Sequence, residues 1–400
     1  AADDDPSGIA TYSQAGAQFG FGMLWTVVLT WPFMVAVQLI SARIGRVTGH
    51  GIAANIRQTM PRPVLIGLVT LLLAANTINI AADIAAMGEA LQLVVGGSDH
   101  GHALVFGLVC VLLQVFVPYR RYAPILKWLT LVLFAYVATV FTVNVPWGQV
   151  LRATVLPSIS FSSDYLLVVV AVFGTTISPY LFFWQASQEV EEMDQHHHRP
   201  LRDLKRGGAG EIDRIAVDTT IGMAFSNVVA FFIILTTAVT LNAHGVTDIQ
   251  TSAQAAEALR PLAGNLTFVL FALGIVGTGL LAVPVLAGAA AYGMAEAFGW
   301  RASLEAKPSE ARGFYAVITV STLLGVLIDF TTLDPIKMLF WSAVINGIIA
   351  VPMIVAMMVL VSDRKLMKRY TVSPALKVAG WTAAAVMTLV LAALCWSALR

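Results

Sequence analysis

Stretches of about twenty apolar residues recur along the whole chain, and each is long enough to cross a hydrocarbon layer of roughly 30 Å. Read coarsely, they cover residues 20–41, 64–95, 102–117, 123–145, 164–189, 215–241, 266–297, 313–328, 336–361 and 376–398. A chain built this way cannot bury so much apolar surface in one soluble core. A soluble protein is roughly 45–50% apolar and about 25% charged, whereas this chain is 58% hydrophobic and 12% charged. The composition therefore predicts an all-α protein whose solvent is the bilayer, where backbone polar groups must be satisfied within each helix. A net charge of +1 leaves no basic face for nucleic acid, so nucleic acid is not an expected partner. Lipid is.

Basic residues orient such a bundle, because cytoplasmic loops retain Lys and Arg. With the 42–63 loop placed inside, alternation leaves only Arg152, Arg260, Lys337 and Arg400 outside, and the other 20 of the 24 basic residues inside. One added or missing span in mid-chain would scramble that bias. The loops at 42–63 and 190–214 are thus expected to be cytoplasmic. The chain opens Ala1-Ala2-Asp3-Asp4-Asp5, without the basic and apolar segments of a cleavable signal. Cys110 and Cys395 both fall in apolar spans with no metal-ligand spacing and are expected to be packing residues.

Two segments interrupt the continuous apolar pattern: Asp5-Pro6-Ser7-Gly8 near the start, and Gly174-Thr175-Thr176-Ile177-Ser178-Pro179 within the fifth span. Proline removes a backbone donor, and Gly, Ser and Thr tolerate the unwinding that follows. Paired breaks in corresponding places of two repeats mark a site near the bilayer midplane, where freed carbonyls and helix ends meet an ion. Their separation fits a five-plus-five inverted repeat, with residues 1–145 as one repeat, 146–361 as the other and 362–400 as an additional helix. The 244–263 segment is expected to form a short helix outside the membrane.

Asp3, Asp4 and Asp5 stand beside the first break. Carboxylates inside a helical bundle are costly and are kept for ion or proton pathways, and hard divalent cations favour the oxygen donors that carboxylates, hydroxyls and unwound carbonyls supply. Asp83 lies inside a span and is a second candidate. Asn346 is a third, as ligand or support. Glu89 and Glu189 near opposite interfaces are either gating groups or parts of a solvated face, and Asn76, Asn79, Asn227 and Asp218 are candidate interhelical hydrogen-bond groups. His196, His197 and His198 lie on a Gly-rich loop and are read as incidental.

Along almost its whole length the sequence resembles the NRAMP metal transporters, which have a LeuT-type fold. Asp5-Pro6-Ser7-Gly8-Ile9 resembles that family's Asp-Pro-Gly-Asn-Ile motif. Arg46-Val47-Thr48-Gly49-His50-Gly51-Ile52-Ala53, followed by Ile56-Arg57, resembles its Val-Thr-Gly-Lys-Gly-Leu-Ala loop. Thr175-Thr176-Ile177-Ser178-Pro179-Tyr180 lies where the family has Ala-Thr-Ile-Met-Pro-His. The resemblance implies a LeuT-type inverted repeat of about eleven helices, the first represented only from its break onward. It also implies a metal held by Asp5 and by the carbonyls of Ala2 and Thr175, with Gly8 in place of the family asparagine and Ser178 in place of the methionine.

A soft thioether favours later transition metals, so its loss implies a wider, oxygen-only site for a hard ion such as magnesium or manganese. Tyr180 replaces the family histidine, and Ala86 stands where a glutamate accompanies the aspartate retained as Asp83; both changes imply weak or absent proton coupling. The sequence is more similar to the magnesium-type branch than to the manganese and iron carriers. The implied setting is a bacterial inner membrane, with a divalent cation as substrate and no cofactor. Two alternatives are carried: an organic solute or monovalent cation on the same fold, and a membrane metal sensor or enzyme. No nucleophile–base pair, HExxH motif or phosphate-cradling loop supports an enzyme.

Overall fold

The structure, a computed structural model, describes residues 5–204, 209–330 and 334–398. Its first half runs α1 (Pro6–Phe19), α2 (Leu24–Thr48), α3 (Ile52–Thr59), α4 (Arg62–Val95), α5 (Asp99–Phe116), α6 (Tyr119–Leu129), α7 (Phe134–Val140) and α8 (Trp147–Val155). Then follow α9 (Ser163–Thr176), α10 (Pro179–Gln195), α11 (Ala209–Thr240), α12 (Ser252–Ala256), α13 (Arg260–Ala263) and α14 (Thr267–Phe298). The chain closes with α15 (Arg312–Asp329), α16 (Pro335–Ser362), α17 (Arg364–Met367) and α18 (Pro374–Ala398). Among the described residues, ten helical stretches are long and apolar enough to cross a membrane.

Both sequence breaks are real helix ends. Asp5 is the N-cap of α1, with Pro6 in the first turn, where a missing N–H costs nothing. α9 stops at Thr176 and α10 starts at Pro179, with Ile177 and Ser178 in non-helical conformations between them. α1, α9, α10, α14, α16 and the second half of α4 form the buried centre. At the periphery, α5 and α18 turn apolar side chains outward, with Val105, Leu112, Val378 and Leu389 all exposed, as a lipid-facing helix requires. Cys110 is buried, but Cys395 is exposed on α18, so it does not pack in the core as the sequence implied.

The segment resembling Val-Thr-Gly-Lys-Gly-Leu-Ala is a tight corner between α2 and α3. Asn55 holds it by donating from Nδ2 to Thr48 Oγ1 at 3.0 Å, to the His50 carbonyl at 2.9 Å and to the Gly51 carbonyl at 2.8 Å. A Cβ at Gly51 would lie 1.9 Å from a carboxylate oxygen of Glu296, so any larger residue would have to displace that carboxylate from its contact with Ala54. His50, in the family's lysine position, has its pKa lowered by burial and then by Arg202 and Arg57, which disfavours a charge there. α3 and the amphipathic α8 were not foreseen in the sequence; the 244–263 segment does form short helices, as expected.

The two ends of the bundle differ. At the end carrying loops 42–63 and 190–204, Glu296 of α14 accepts from the backbone N–H of Ala54 at 3.1 Å and the Ser187 hydroxyl at 3.3 Å. Beside it Glu191 of α10 accepts from Tyr292 Oη and the Leu304 N–H, both at 2.6 Å. These two carboxylates tie α3, α10 and α14 together. At the opposite end a cavity of about 220 Å³, lined by Gln14, Gln18, Asp164, Asp248, Lys337 and Trp341 among others, reaches down to Ala10.

Candidate metal site at the paired helix breaks

The site is built around Asp5, which is buried with 1% exposure. One carboxylate oxygen, Oδ1, accepts from the Gly8 N–H at 2.9 Å and the Ser7 hydroxyl at 2.7 Å, the ordinary work of an N-cap. The other, Oδ2, faces the rest of the bundle: it accepts from Asn79 Nδ2 of α4 at 3.1 Å and lies 3.5 Å from the Tyr180 hydroxyl of α10. Asn79 is held in turn by Ser342 of α16, whose hydroxyl lies 2.7 Å from Asn79 Oδ1 and 2.7 Å from the Leu339 carbonyl. Three helices thus meet at one carboxylate, and a fourth, α16, supports it through Asn79.

The second break reaches the same place through neutral groups. Ser7 Oγ lies 3.4 Å from Thr175 Oγ1, and the Tyr12 hydroxyl lies 2.9 Å from Thr176 Oγ1. Ser178, at the start of α10, turns back on the end of α9, its hydroxyl 2.7 Å from the Gly174 carbonyl and 2.8 Å from the Thr175 carbonyl. Close packing explains Gly174: a Cβ there would lie 2.0 Å from the Ala343 carbonyl oxygen of α16. Gly8 does not leave the wide space expected of it. A Cβ at Gly8 would already stand 3.3 Å from Thr175 Oγ1 and 3.4 Å from the Tyr12 ring, so those side chains occupy the room that the family asparagine would need.

Asp83 lies one helical turn beyond Asn79 on α4, is fully buried, and interacts electrostatically with Asp5. Neither of its carboxylate oxygens has a hydrogen-bond partner among the described residues. Asn346, one turn from Ser342 on α16, is likewise buried with its carboxamide unsatisfied. Because α4 and α16 run antiparallel, Asp83 and Asn346 extend the polar track in opposite directions from the Asn79–Ser342 pair. Ala2, Asp3 and Asp4 lie outside the described residues. Among those described, no three His, Cys, Asp or Glu side chains gather as a metal cluster.

Asn79 is the site residue that sequence reading passed over, placed there only as an interhelical group. Its signal was its spacing, one turn from Asp83 on the same face. Asn76 and Asn227 are interhelical as expected, donating to the Leu286 carbonyl at 2.8 Å and the Val27 carbonyl at 2.9 Å. Asp218 is exposed. Glu89 accepts from the Ser252 hydroxyl at 2.6 Å and so fastens α4 to the short α12. Glu189 accepts from Gln185 at 3.2 Å near the opposite end.

Comparison with known proteins decides what this arrangement belongs to. The family model described as Natural resistance-associated macrophage protein-like, Nramp, matches residues 1–397. The chain belongs to the Nramp family. Members of this family are transporters of divalent metal ions and not enzymes, and membership together with ten apolar spanning helices makes the chain an integral membrane protein.

Solved structures agree on the fold. The manganese transporter of Eremococcus coleocola, in complex with an aromatic bis-isothiourea substituted compound, superposes with a TM-score of 0.76 at 16% identity, over 97% of this chain and 83% of that one. MhsT, solved in complex with L-phenylalanine, gives 0.56 at 11% identity, over 98% of both chains. Mhp1, a nucleobase-cation-symport-1 family transporter solved closed with bromovinylhydantoin bound, gives 0.50 at 15% identity, over 98% of this chain and 92% of that one. These Nramp-type and LeuT-type neighbours carry the LeuT-type fold, which is the fold of this chain.

Proposed function

We propose that this protein carries a hard divalent cation, magnesium or manganese, across a bacterial inner membrane by alternating access with weak or no proton coupling, as in the magnesium-type branch of the family. The observation that carries the reading is Asp5: a buried carboxylate at a helix break, which accepts from hydroxyls, a carboxamide and a backbone N–H of the described residues. Oxygen-only surroundings favour ions that dehydrate reluctantly over thiophilic ones. The ligands proposed are Asp5 and the carbonyls of Ala2 and Thr175, with Ser178 and Gly8 shaping the site and Asp3, Asp4 and Asn346 near it.

Asn79 joins them. Turning its carboxamide over would offer Oδ1 to a cation at Asp5 while Nδ2 donates to Ser342 Oγ, which still donates to the Leu339 carbonyl.

Alternating access is supported by the unequal ends: a cavity leads toward the site from one side, and Glu296 and Glu191 tie the other closed. With loops 42–63 and 190–214 in the cytoplasm, the cavity faces outward. Residues 1–145 and 146–361 are the proposed inverted repeats, one break in each, and 362–400 adds the final helix. Weak coupling follows from Tyr180 and Ala86, whose side chains do not titrate near neutral pH as histidine does. Asp83 remains a group that could take a proton or steer the cation.

Uptake into proteoliposomes, measured for magnesium, manganese, calcium and cadmium with an internal pH dye, tests the proposal. Magnesium or manganese uptake without acidification is expected. Acidification that accompanies uptake and vanishes in Asp83→Asn would instead make the protein a proton-coupled carrier, and no uptake of any of the four ions would overturn the metal reading.

A further inference from the structure

At the basic end of the bundle, α11 and α18 both pack on α2 and leave a groove between them. It encloses about 130 Å³, and its walls include Leu39 of α2, Ile212 and Ala216 of α11 and Leu376 of α18. Two guanidinium groups, Arg43 and Arg46, line the same groove. Arg46 is 95% buried, being 5% exposed. Its Nη2 lies 3.5 Å from Glu211 Oε2 and 3.5 Å from His198 Nδ1, while Nη1 has no hydrogen-bond partner among the described residues. Arg43 is half-buried, its Nε is buried and equally unpartnered, and it makes no ion pair among the described residues. Glu211 lies 3.5 Å from Arg46 and 3.6 Å from Arg214, whose nearer partner is Glu192 at 3.0 Å, so Arg43 is the guanidinium of the groove left without a carboxylate among the described residues.

Burying guanidinium donors without acceptors is expensive. An oxyanion with several acceptor oxygens, approached by a forked donor, removes that cost. The apolar walls ask for something more than an ion. Leu39, Ile212, Ala216 and Leu376 are each only half-buried, so hydrocarbon from the surrounding leaflet can enter directly. Headgroup phosphate at the arginines and an acyl chain along Leu39 and Leu376 satisfy both halves of the groove at once. Basic pockets between spanning helices suit anionic headgroups in this way.

We propose that this groove is a binding site for an anionic phospholipid of the leaflet at the basic end of the bundle. The lipid bridges α2, α11 and α18, and so stabilises the arrangement of these three helices. The inference depends on the chain lying in a membrane and not on which ion it carries.

Thermal unfolding of the purified full chain in detergent tests it, with added phosphatidylglycerol, phosphatidylcholine of the same acyl chains, or inorganic phosphate. Phosphatidylglycerol should raise Tm by several degrees at a concentration where the other two leave it unchanged. Arg43→Gln should abolish that shift and weaken lipid binding, counted by native mass spectrometry, roughly tenfold. Arg43→Lys should keep part of it. Ala216→Phe, which fills the groove without touching a charge, should reduce it and serves as the second arm if Arg43→Gln does not fold. An equal shift with phosphatidylcholine would mean a non-selective lipid surface, an equal shift with inorganic phosphate would mean an anion site, and an undiminished phosphatidylglycerol shift in both Arg43→Gln and Ala216→Phe would place the lipid elsewhere; each overturns the proposal.

Discussion

The break before Pro6 and the break before Pro179 meet in one place, yet they are finished by different chemistry. At the first, a carboxylate caps the helix with one oxygen and turns the other toward α4 and α10. At the second, the Ser178 hydroxyl that opens α10 is spent on carbonyls at the end of α9, and the break contributes shape and backbone oxygen without charge. A capping residue that hands one oxygen to the helix and keeps the other for the bundle can hold an ion without leaving its helix end uncapped. On the proposed reading, the first break would supply the charge that binds the ion, and the second would supply neutral shape that tunes selectivity.

Asp5→Ala breaks the comparison at its stronger side. Loss of the only charge at the two breaks among the described residues should reduce uptake at least ~100-fold, since removing one partner of a buried charge contact costs several kcal/mol. The helix loses its cap as well, about 1 kcal/mol, so Asp5→Asn, which keeps the cap, is the cleaner variant. Wild-type uptake by either would remove Asp5 from the ion path.

Asn79→Leu tests whether the shared carboxamide belongs to the site. A hydrogen bond to a charged group is worth roughly 1.5–3 kcal/mol, so the variant should need roughly tenfold more metal for half-maximal uptake. Ser342→Ala should have a smaller effect in the same direction, because Ser342 reaches Asp5 only through Asn79. Equal metal affinity in wild type and Asn79→Leu would return Asn79 to the purely interhelical role that its sequence context implied.

Ser178→Met acts at the weaker side. A thioether beside an oxygen-lined site should raise cadmium uptake relative to magnesium by a few-fold. The longer side chain must also displace contacts near Gly174 and Thr175, so the ratio and not the absolute rate is the readout. An unchanged ratio in a variant that still transports would place Ser178 away from the ion.

Much of this was legible in the sequence, for a physical reason. Helices that cross a membrane announce themselves by length and hydropathy, and the ten apolar stretches of the sequence correspond to ten helical stretches long and apolar enough to cross one among the described residues. Breaks announce themselves by proline beside small polar residues, and both are helix ends. Short helices without an apolar run, such as α3 and α8, carry no comparable signal. Asn79 escaped because a lone asparagine in a span has one local appearance, and only the fold shows whether it meets a carbonyl, as Asn76 does, or a carboxylate. The wide site expected from Gly8 failed for a similar reason: a missing side chain leaves space only if no neighbour leans in, and Thr175 and Tyr12 both do.

The finest comparison is between the two breaks as a joined pair. Tyr12 of α1 and Thr176 at the end of α9 are 2.9 Å apart across the site, while Thr176 Oγ1 also donates to the Val172 carbonyl of its own helix at 2.7 Å. Thr176 has one hydroxyl proton and gives it to Val172, so Tyr12 is the donor to Thr176. Tyr12→Phe therefore removes a donor and leaves Thr176 still satisfied within its helix. The expected loss is that of a neutral hydrogen bond, about 1 kcal/mol of stability, with uptake kept within about twofold, because this link carries no charge and only holds the two breaks in register. Tm and metal uptake measured on the same preparation separate the cases. A drop in uptake as deep as that of Asn79→Leu, with Tm unchanged, would mean that the Tyr12 hydroxyl touches the ion itself and that α1 supplies more than Asp5 to the site.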